Sequence, residues 1–187
     1  LEILKIISAI LALAIAVIGH EIMHGWVAYK YGDMTAKNAN RLSINPLSHI
    51  DLVGTIIVPA TMYFLPILLG GSGGFLFGWA KPVPINMATV IRNGGYNAAM
   101  QVDLAGIVYN LTLATFASVV LVGMASPTIN DSILYIFGYI FVSQLVIINV
   151  VLAVFNILPI PQFDGANFLI HLSLKNKMNG VATFFYK

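Results

Sequence analysis

The sequence predicts an all-α polytopic membrane protein forming a single domain over residues 1–187. It has about four long apolar helical segments, a short extended or hairpin-like element after the first, and an irregular or re-entrant Gly-rich stretch after the second. Three observations predict this class. Hydrophobic residues make up 59% of the chain and charged residues only 9%, against about 25% charged in ordinary soluble domains. The apolar stretches each approach the roughly 20 residues that a helix needs to cross a bilayer. So few charges cannot cover a soluble globule of this length, which leaves lipid as the natural solvent for most of the chain.

Segment A, from about Ile3 to Tyr31, is an apolar run that passes directly into polar motif residues. With no small-residue cleavage site, it does not read as a secretory leader. In the polar connection Gly32 to Ile50, the stretch TAKNANRLSIN reads as short and extended or hairpin-like. Segment B follows from about Leu52 to Leu69, and then GGSGGFLFGWAKPVPIN, where Gly and Pro forbid regular helix. Segment C covers about Asn97 to Met124 and segment D about Ile133 to Leu158, joined only by ASPTINDS. The tail PIPQFDGANFLIHLSLKNKMNG is expected to hold a short helix beginning near Asp164. The chain opens at Leu1, and the natural protein is expected to continue beyond one or both ends.

Basic residues set an orientation. Lys30, Lys37 and Arg41 follow A, Lys81 and Arg92 precede C, and Lys175, Lys177 and Lys187 follow D, while the C–D connection has none. By the positive-inside rule the first three regions face the cytoplasm and the fourth faces outward, with Lys5 the one discordant charge. If A ends inside and C begins inside, B cannot be a single crossing. Either B dips in and returns, or the Gly-rich stretch climbs back in extended form. The run Gly70 to Ala80 could reach about 36 Å at roughly 3.3 Å per residue, enough for a core of about 30 Å. Irregular backbone at that depth must be shielded or line a watery cavity, so B and its return are expected to form part of a groove.

The net charge of +2 is too small and dispersed for nucleic-acid binding. The absence of cysteine excludes disulfides and thiolate metal sites, leaving His, Asp and Glu as ligands. Segment A supplies the candidates in GHEIMHGW. His20 and His24, four residues apart, share one helix face, with their Cβ atoms about 5–6 Å apart. That spacing lets both imidazoles hold one ion. Glu21 projects roughly 100° around the helix from His20 and can reach a metal-held water as general base without being a ligand. Three ionisable side chains near the end of a membrane helix are costly and demand a partner or a function. A catalytic zinc usually takes a third protein ligand. Asp164, just past the cytoplasmic end of D, is the leading candidate, with Asp103 near the start of C as a weaker competitor. Asp164 also reads as a helix N-cap after a Pro-rich turn.

The pieces HEIMH, RLSINPLSHIDLVGTIIVP, GWAKPVPIN, LAGIVYN and FNILPIPQFDG, in that order, span nearly the whole chain. Together they resemble the site-2 protease family of intramembrane zinc metalloproteases, in its compact prokaryotic branch. The resemblance implies one Zn²⁺ per chain, Asp164 as its third ligand, Asn156 as a substrate or oxyanion residue, and roles near the site for His49 and Asn110. It also implies cleavage of transmembrane segments of other proteins in a prokaryotic cell membrane, with the active site toward the cytoplasm and a possible regulatory membrane protein as partner. Departures are Ile107 where the family commonly has Pro, Leu52 where Pro commonly follows HID, and Pro161, Gln162 and Phe163 in place of Pro-Pro-Leu. They bear on substrate fit and leave every expected ligand in place.

Other readings stand beside these. His49 also reads as a solvated interfacial histidine, and Asn110 as an amide bonding a neighbouring helix. Asn156 also reads as satisfying carbonyls freed by Pro159. His171 reads as interfacial and non-catalytic, and Trp26, Tyr29, Tyr31 and Trp79 as an aromatic belt. Two rival functions are a metal or ion transporter, which would commonly be longer and show internal repeats, and an inactive relative that only binds membrane partners. Glu21 together with both histidines and Asp164 argues against the second.

Overall fold

A computed structural model describes residues 2–71, 81–178, 180 and 183–184. Helix α1, Glu2–Lys30, takes up segment A. Rich in Ala, Leu and Ile and free of proline, it runs unbroken. At about 1.5 Å per residue it has length to spare for crossing a bilayer core. The chain then turns through Gly32, at φ 84°, into the short helix α2, Thr35–Asn38. Asp33 organises the turn. Its Oδ1 accepts from the Thr35 amide at 3.0 Å and hydroxyl at 2.5 Å, and its Oδ2 from the Asn86 amide at 2.6 Å. Burial alone would raise the Asp33 pKa, but these three donors hold it below the usual carboxylate value.

The expected extended or hairpin element is not a strand, and no strand occurs among the described residues. Side chains take the backbone groups that a strand partner would need. The Asn45 amide donates to Ser43 Oγ, and the Ser43 carbonyl meets His49 Nε2 at 2.7 Å. Pro46–His49 then forms a 3₁₀ turn with Asn45 Oδ1 accepting from the Leu47 amide. The irregular residues 81–86 lie alongside. The Lys81 amide donates to the His49 carbonyl, and the Arg41 guanidinium donates to the carbonyls of Lys81 and Pro82.

Segment B also differs from expectation. It is a π-helical turn, Leu52–Ile57, followed by helix α3, Val58–Leu68, of 11 residues. Pro59 lacks an amide at the start of α3, and Pro66 removes another bond inside it. At about 1.5 Å per residue, α3 alone reaches only about 16 Å. Among the described residues, three helices rather than four are long and apolar enough to cross a membrane. Most of the expected Gly-rich return, and Trp79 of the aromatic belt, lie outside the described residues.

Helix α4, Met87–Val122, begins well before the expected Asn97, with Asn86 Oδ1 capping the Thr89 amide. Gly95, at φ 68° and ψ −169°, breaks its first turns from the apolar remainder. Helix α5, Ile133–Asn156, is capped by Ser132 Oγ, which accepts from the Tyr135 amide. Helix α6, Asp164–Lys175, closes the described fold, and it starts where the sequence places it.

Helices α1, α4 and α5 pack against one another, and α6 packs on α4. Alanines line the contacts: Ala12, Ala16 and Ala28 on α1, and Ala98, Ala99, Ala105, Ala114 and Ala117 on α4 are all buried. Small residues let backbones approach closely where apolar burial gives no drive in lipid. One apolar cluster gathers Ala12, Ala117 and Leu145, and another gathers Ala28, Val90, Ala98 and Val102. The polar layer of His20 and His24 lies between them along α1. Outward faces carry large exposed apolar side chains such as Phe116, Val119, Val122 and Ile133, as a lipid-facing surface requires.

Candidate metal centre

Helix α1 places His20 and His24 one turn apart on its buried face, both less than 10% exposed. Asp164, first residue of α6, meets them. His20 Nε2 and His24 Nε2 are 3.1 Å apart, and Asp164 Oδ2 lies 3.1 Å from the first and 3.3 Å from the second. The three side chains form the one cluster of potential metal ligands among the described residues. Asp103, the weaker competitor, is not in it.

The hydrogen bonds behind the imidazoles fix what the Nε2 atoms offer. His24 Nδ1 is 2.6 Å from the Val102 carbonyl, which can only accept, so Nδ1 carries the proton and Nε2 a lone pair. For His20 the argument runs through two amides. Asn149 Nδ2 donates to the Leu145 carbonyl at 2.8 Å, which turns its Oδ1 toward Asn110. Asn110 Nδ2 donates to that Oδ1 at 2.8 Å and to the Ala16 carbonyl at 3.2 Å. Asn110 Oδ1 therefore faces His20 Nδ1 at 2.6 Å and accepts its proton. In the neutral rings both Nε2 atoms then present lone pairs.

Asp164 Oδ2 is buried and accepts no hydrogen bond. Burial disfavours the Asp164 carboxylate, which therefore needs a positive partner, supplied by protons on His20 and His24 or by a cation held between the three side chains. With both rings neutral, three acceptor atoms converge, an arrangement that requires a cation between them. Zinc ligands at about 2.0–2.2 Å in a tetrahedral shell stand roughly 3.3 Å apart. The observed separations match, and the residues fit a zinc ion.

Close approach depends on two glycines. A Cβ on Gly106 of α4 would fall 2.4 Å from His20 Cε1, and one on Gly165 of α6 would fall 2.2 Å from the Ile157 carbonyl oxygen. The first lets the His20 ring lie flat on α4, and the second lets the turn carrying Asp164 fold back on the end of α5. Phe163, not Asp164 as the sequence also allowed, is the N-cap of α6, and no side chain caps the helix, so the Asp164 carboxylate is left to the site.

Glu21, on the same turn of α1, accepts through Oε2 from the Val83 amide of the irregular segment 81–86 at 2.8 Å. The remaining sequence candidates sit as follows. Both Asn110 amide hydrogens are engaged, so it orients His20 and has no donor left for an oxyanion. Asn156 Nδ2 donates to the Leu152 carbonyl one turn back, at 2.9 Å. His49 is buried, with Nε2 on the Ser43 carbonyl and Nδ1 without a partner. In that tautomer Nδ1 accepts rather than donates. His171, read as interfacial, instead pairs with Asp103 at 2.6 Å. Sequence reasoning missed Asn149. Its signal was an amide midway along the apolar run of segment D, where unpaired polar groups are expensive.

No family model matches the sequence, and no solved structure matches it. Among curated proteins, the chain is 36% identical over 157 residues to the "Putative zinc metalloprotease YwhC" of Bacillus subtilis (strain 168). The aligned region covers 83% of this chain and spans 64% of the relative's length. Over most of its length the chain is therefore similar to a protein named as a zinc metalloprotease.

Proposed function

We propose that this chain is a zinc-dependent endopeptidase of the site-2 protease type, hydrolysing peptide bonds in or near transmembrane segments of other membrane proteins. The observation that carries the reading is the convergence of three lone-pair atoms, from His20, His24 and Asp164, on one point inside an apolar helix bundle. The likeness to a named zinc metalloprotease supports the choice of ion and reaction. His20, His24 and Asp164 would hold Zn²⁺, which when bound supplies Lewis acidity toward water and a scissile carbonyl.

The rest of the chemistry belongs to the protein. Glu21 takes the proton of the attacking water and returns it to the leaving amine. Its bond to the Val83 amide steadies the carboxylate beside the segment 81–86. Asn110 and the Val102 carbonyl keep both ligand imidazoles in the Nδ1–H tautomer. The alanine-lined packing of α1 and α4 keeps bulk lipid and water from the ligand layer. A helical substrate hides its carbonyls, so the substrate must unwind locally. The backbone near Ser43 is held by its own side chains, so an extended substrate pairs there only by displacing them. In this reading the site faces the cytoplasm, and a regulatory membrane protein can act on it.

The test reconstitutes the purified chain in vesicles with single-span reporter proteins and reads cleavage products by mass spectrometry. Wild type should cut. Glu21→Gln should keep its zinc and lose cleavage by several orders of magnitude, and a chelator should abolish it reversibly. Cleavage that survives both Glu21→Gln and zinc removal would exclude the mechanism, and metal flux without cleavage would favour a transporter.

A further inference from the structure

Asp103 and His171 take no part in the chemistry above. Yet His171 Nδ1 and Asp103 Oδ2 are bonded at 2.6 Å, with side-chain exposures of only 12% and 3%. A carboxylate withdrawn into an apolar bundle is costly and is kept only with a partner and a role. Tyr96 flanks the imidazole, its ring centre 6.4 Å away. Among the described residues this pair is the only side-chain hydrogen bond joining α6 to α4. Helix α6 meets the bundle chiefly through α4, and Asp164 is its first residue.

We propose that Asp103 and His171 form a latch that seats α6 on α4 and so sets Asp164 at ligating distance from His20 and His24. They are positioning residues, touching neither the ion nor substrate. His171 stands two turns beyond Asp164, about 10 Å along the helix, so the bond governs where the start of α6 lies. Among the described residues, the polar partners of Asp164 Oδ2 are the two imidazoles it must meet, at 3.1 and 3.3 Å. The assignment gives α4 one coherent part. It supplies no ligand but orients all three: Asn110 holds His20, the Val102 carbonyl holds His24, and the adjacent Asp103 holds the helix of Asp164. The inference rests on the metalloprotease reading for the identity of the ion alone.

The experiment uses the full chain in detergent and exploits its lack of cysteine. Spin labels on cysteines placed at the exposed Asn97 of α4 and Asn167 of α6 report the helix–helix distance without metal. Competition with a chelator reports Zn²⁺ affinity, and Co²⁺ absorption reports the coordination number. His171→Phe keeps the ring and removes the donor, and Asp103→Leu keeps the volume and removes the acceptor. Both should broaden the metal-free distance distribution, weaken Zn²⁺ binding about 10–100-fold and alter the Co²⁺ spectrum. His171→Asn, whose amide can donate from nearly the same place, should restore all three. Wild-type distances and affinity in His171→Phe and Asp103→Leu would overturn the latch. A wild-type chain that binds no zinc would instead overturn the metalloprotease reading, and the distance measurement would still judge the latch.

Discussion

Replacing Gly106 by alanine should separate metal binding from folding. An added Cβ would lie 2.4 Å from His20 Cε1 and 2.5 Å from both ring nitrogens, whereas ordinary contact begins near 3.4 Å. The ring must therefore move by about 1 Å. The His20 Nδ1 to Asn110 Oδ1 bond is 2.6 Å long, and the same shift stretches it to about 3.6 Å, where a hydrogen bond is effectively lost. Loss of such an orienting partner weakens metal binding about 10–100-fold, or about 1.4–2.8 kcal/mol. Helix propensity moves the other way, since Gly to Ala inside a helix gains about 1 kcal/mol. The two effects give opposite readouts. In detergent-purified protein, Gly106→Ala should show nearly unchanged thermal stability without metal but a clear loss in chelator competition for Zn²⁺. Gly138→Ala on α5, with nothing within 4 Å of the new methyl, should bind zinc like wild type. If Gly106→Ala binds zinc as tightly as wild type, the placement of the His20 ring against α4 is wrong.

Two further predictions follow from the same geometry. Gly165→Ala places a methyl 2.2 Å from the Ile157 carbonyl oxygen, a main-chain atom that cannot rotate away, so it should cost about 2 kcal/mol or more of stability and also zinc affinity; denaturant melts and chelator competition both read it, and unchanged values in both would count against the turn. Asp33 has a pKa held below its usual 3.8 by donors from Thr35 and Asn86. The stability it contributes is complete above that value and is lost as pH falls through the lower folded pKa. Acid unfolding of Asp33→Ala should therefore be flatter than wild type below about pH 4, and parallel curves would refute the role assigned to the carboxylate.

Much of the site was legible because its chemistry is local. HEIMH fixes two imidazoles on one face by helix geometry alone, and the depth argument brought Asp164 to the same level. Helices α1, α4 and α5 were legible from their apolar length. The fourth apolar segment was legible in its bounds but not in its break into a π-helical turn and a helix of 11 residues, since hydropathy does not register Pro59 and Pro66. The hairpin misled because Ser43, Asn45 and His49 turn inward on their own backbone. Asn110 was visible as an expensive amide, but its part depended on Asn149, and the Asp103–His171 pair on two helices' rotation about their axes. Contacts across 39 and 68 residues of sequence leave no periodic trace.

The relay of amides behind His20 fixes the identity of one residue by counting. Position 110 must accept one proton from an imidazole and give two, to the Ala16 carbonyl and to Asn149. Aspartate has acceptors and nothing to give, leucine has neither, and glutamine carries the right groups on a stem one carbon too long. Among the twenty side chains, asparagine alone fills that slot, which makes a residue that touches no reactant as irreplaceable as the ligand it faces.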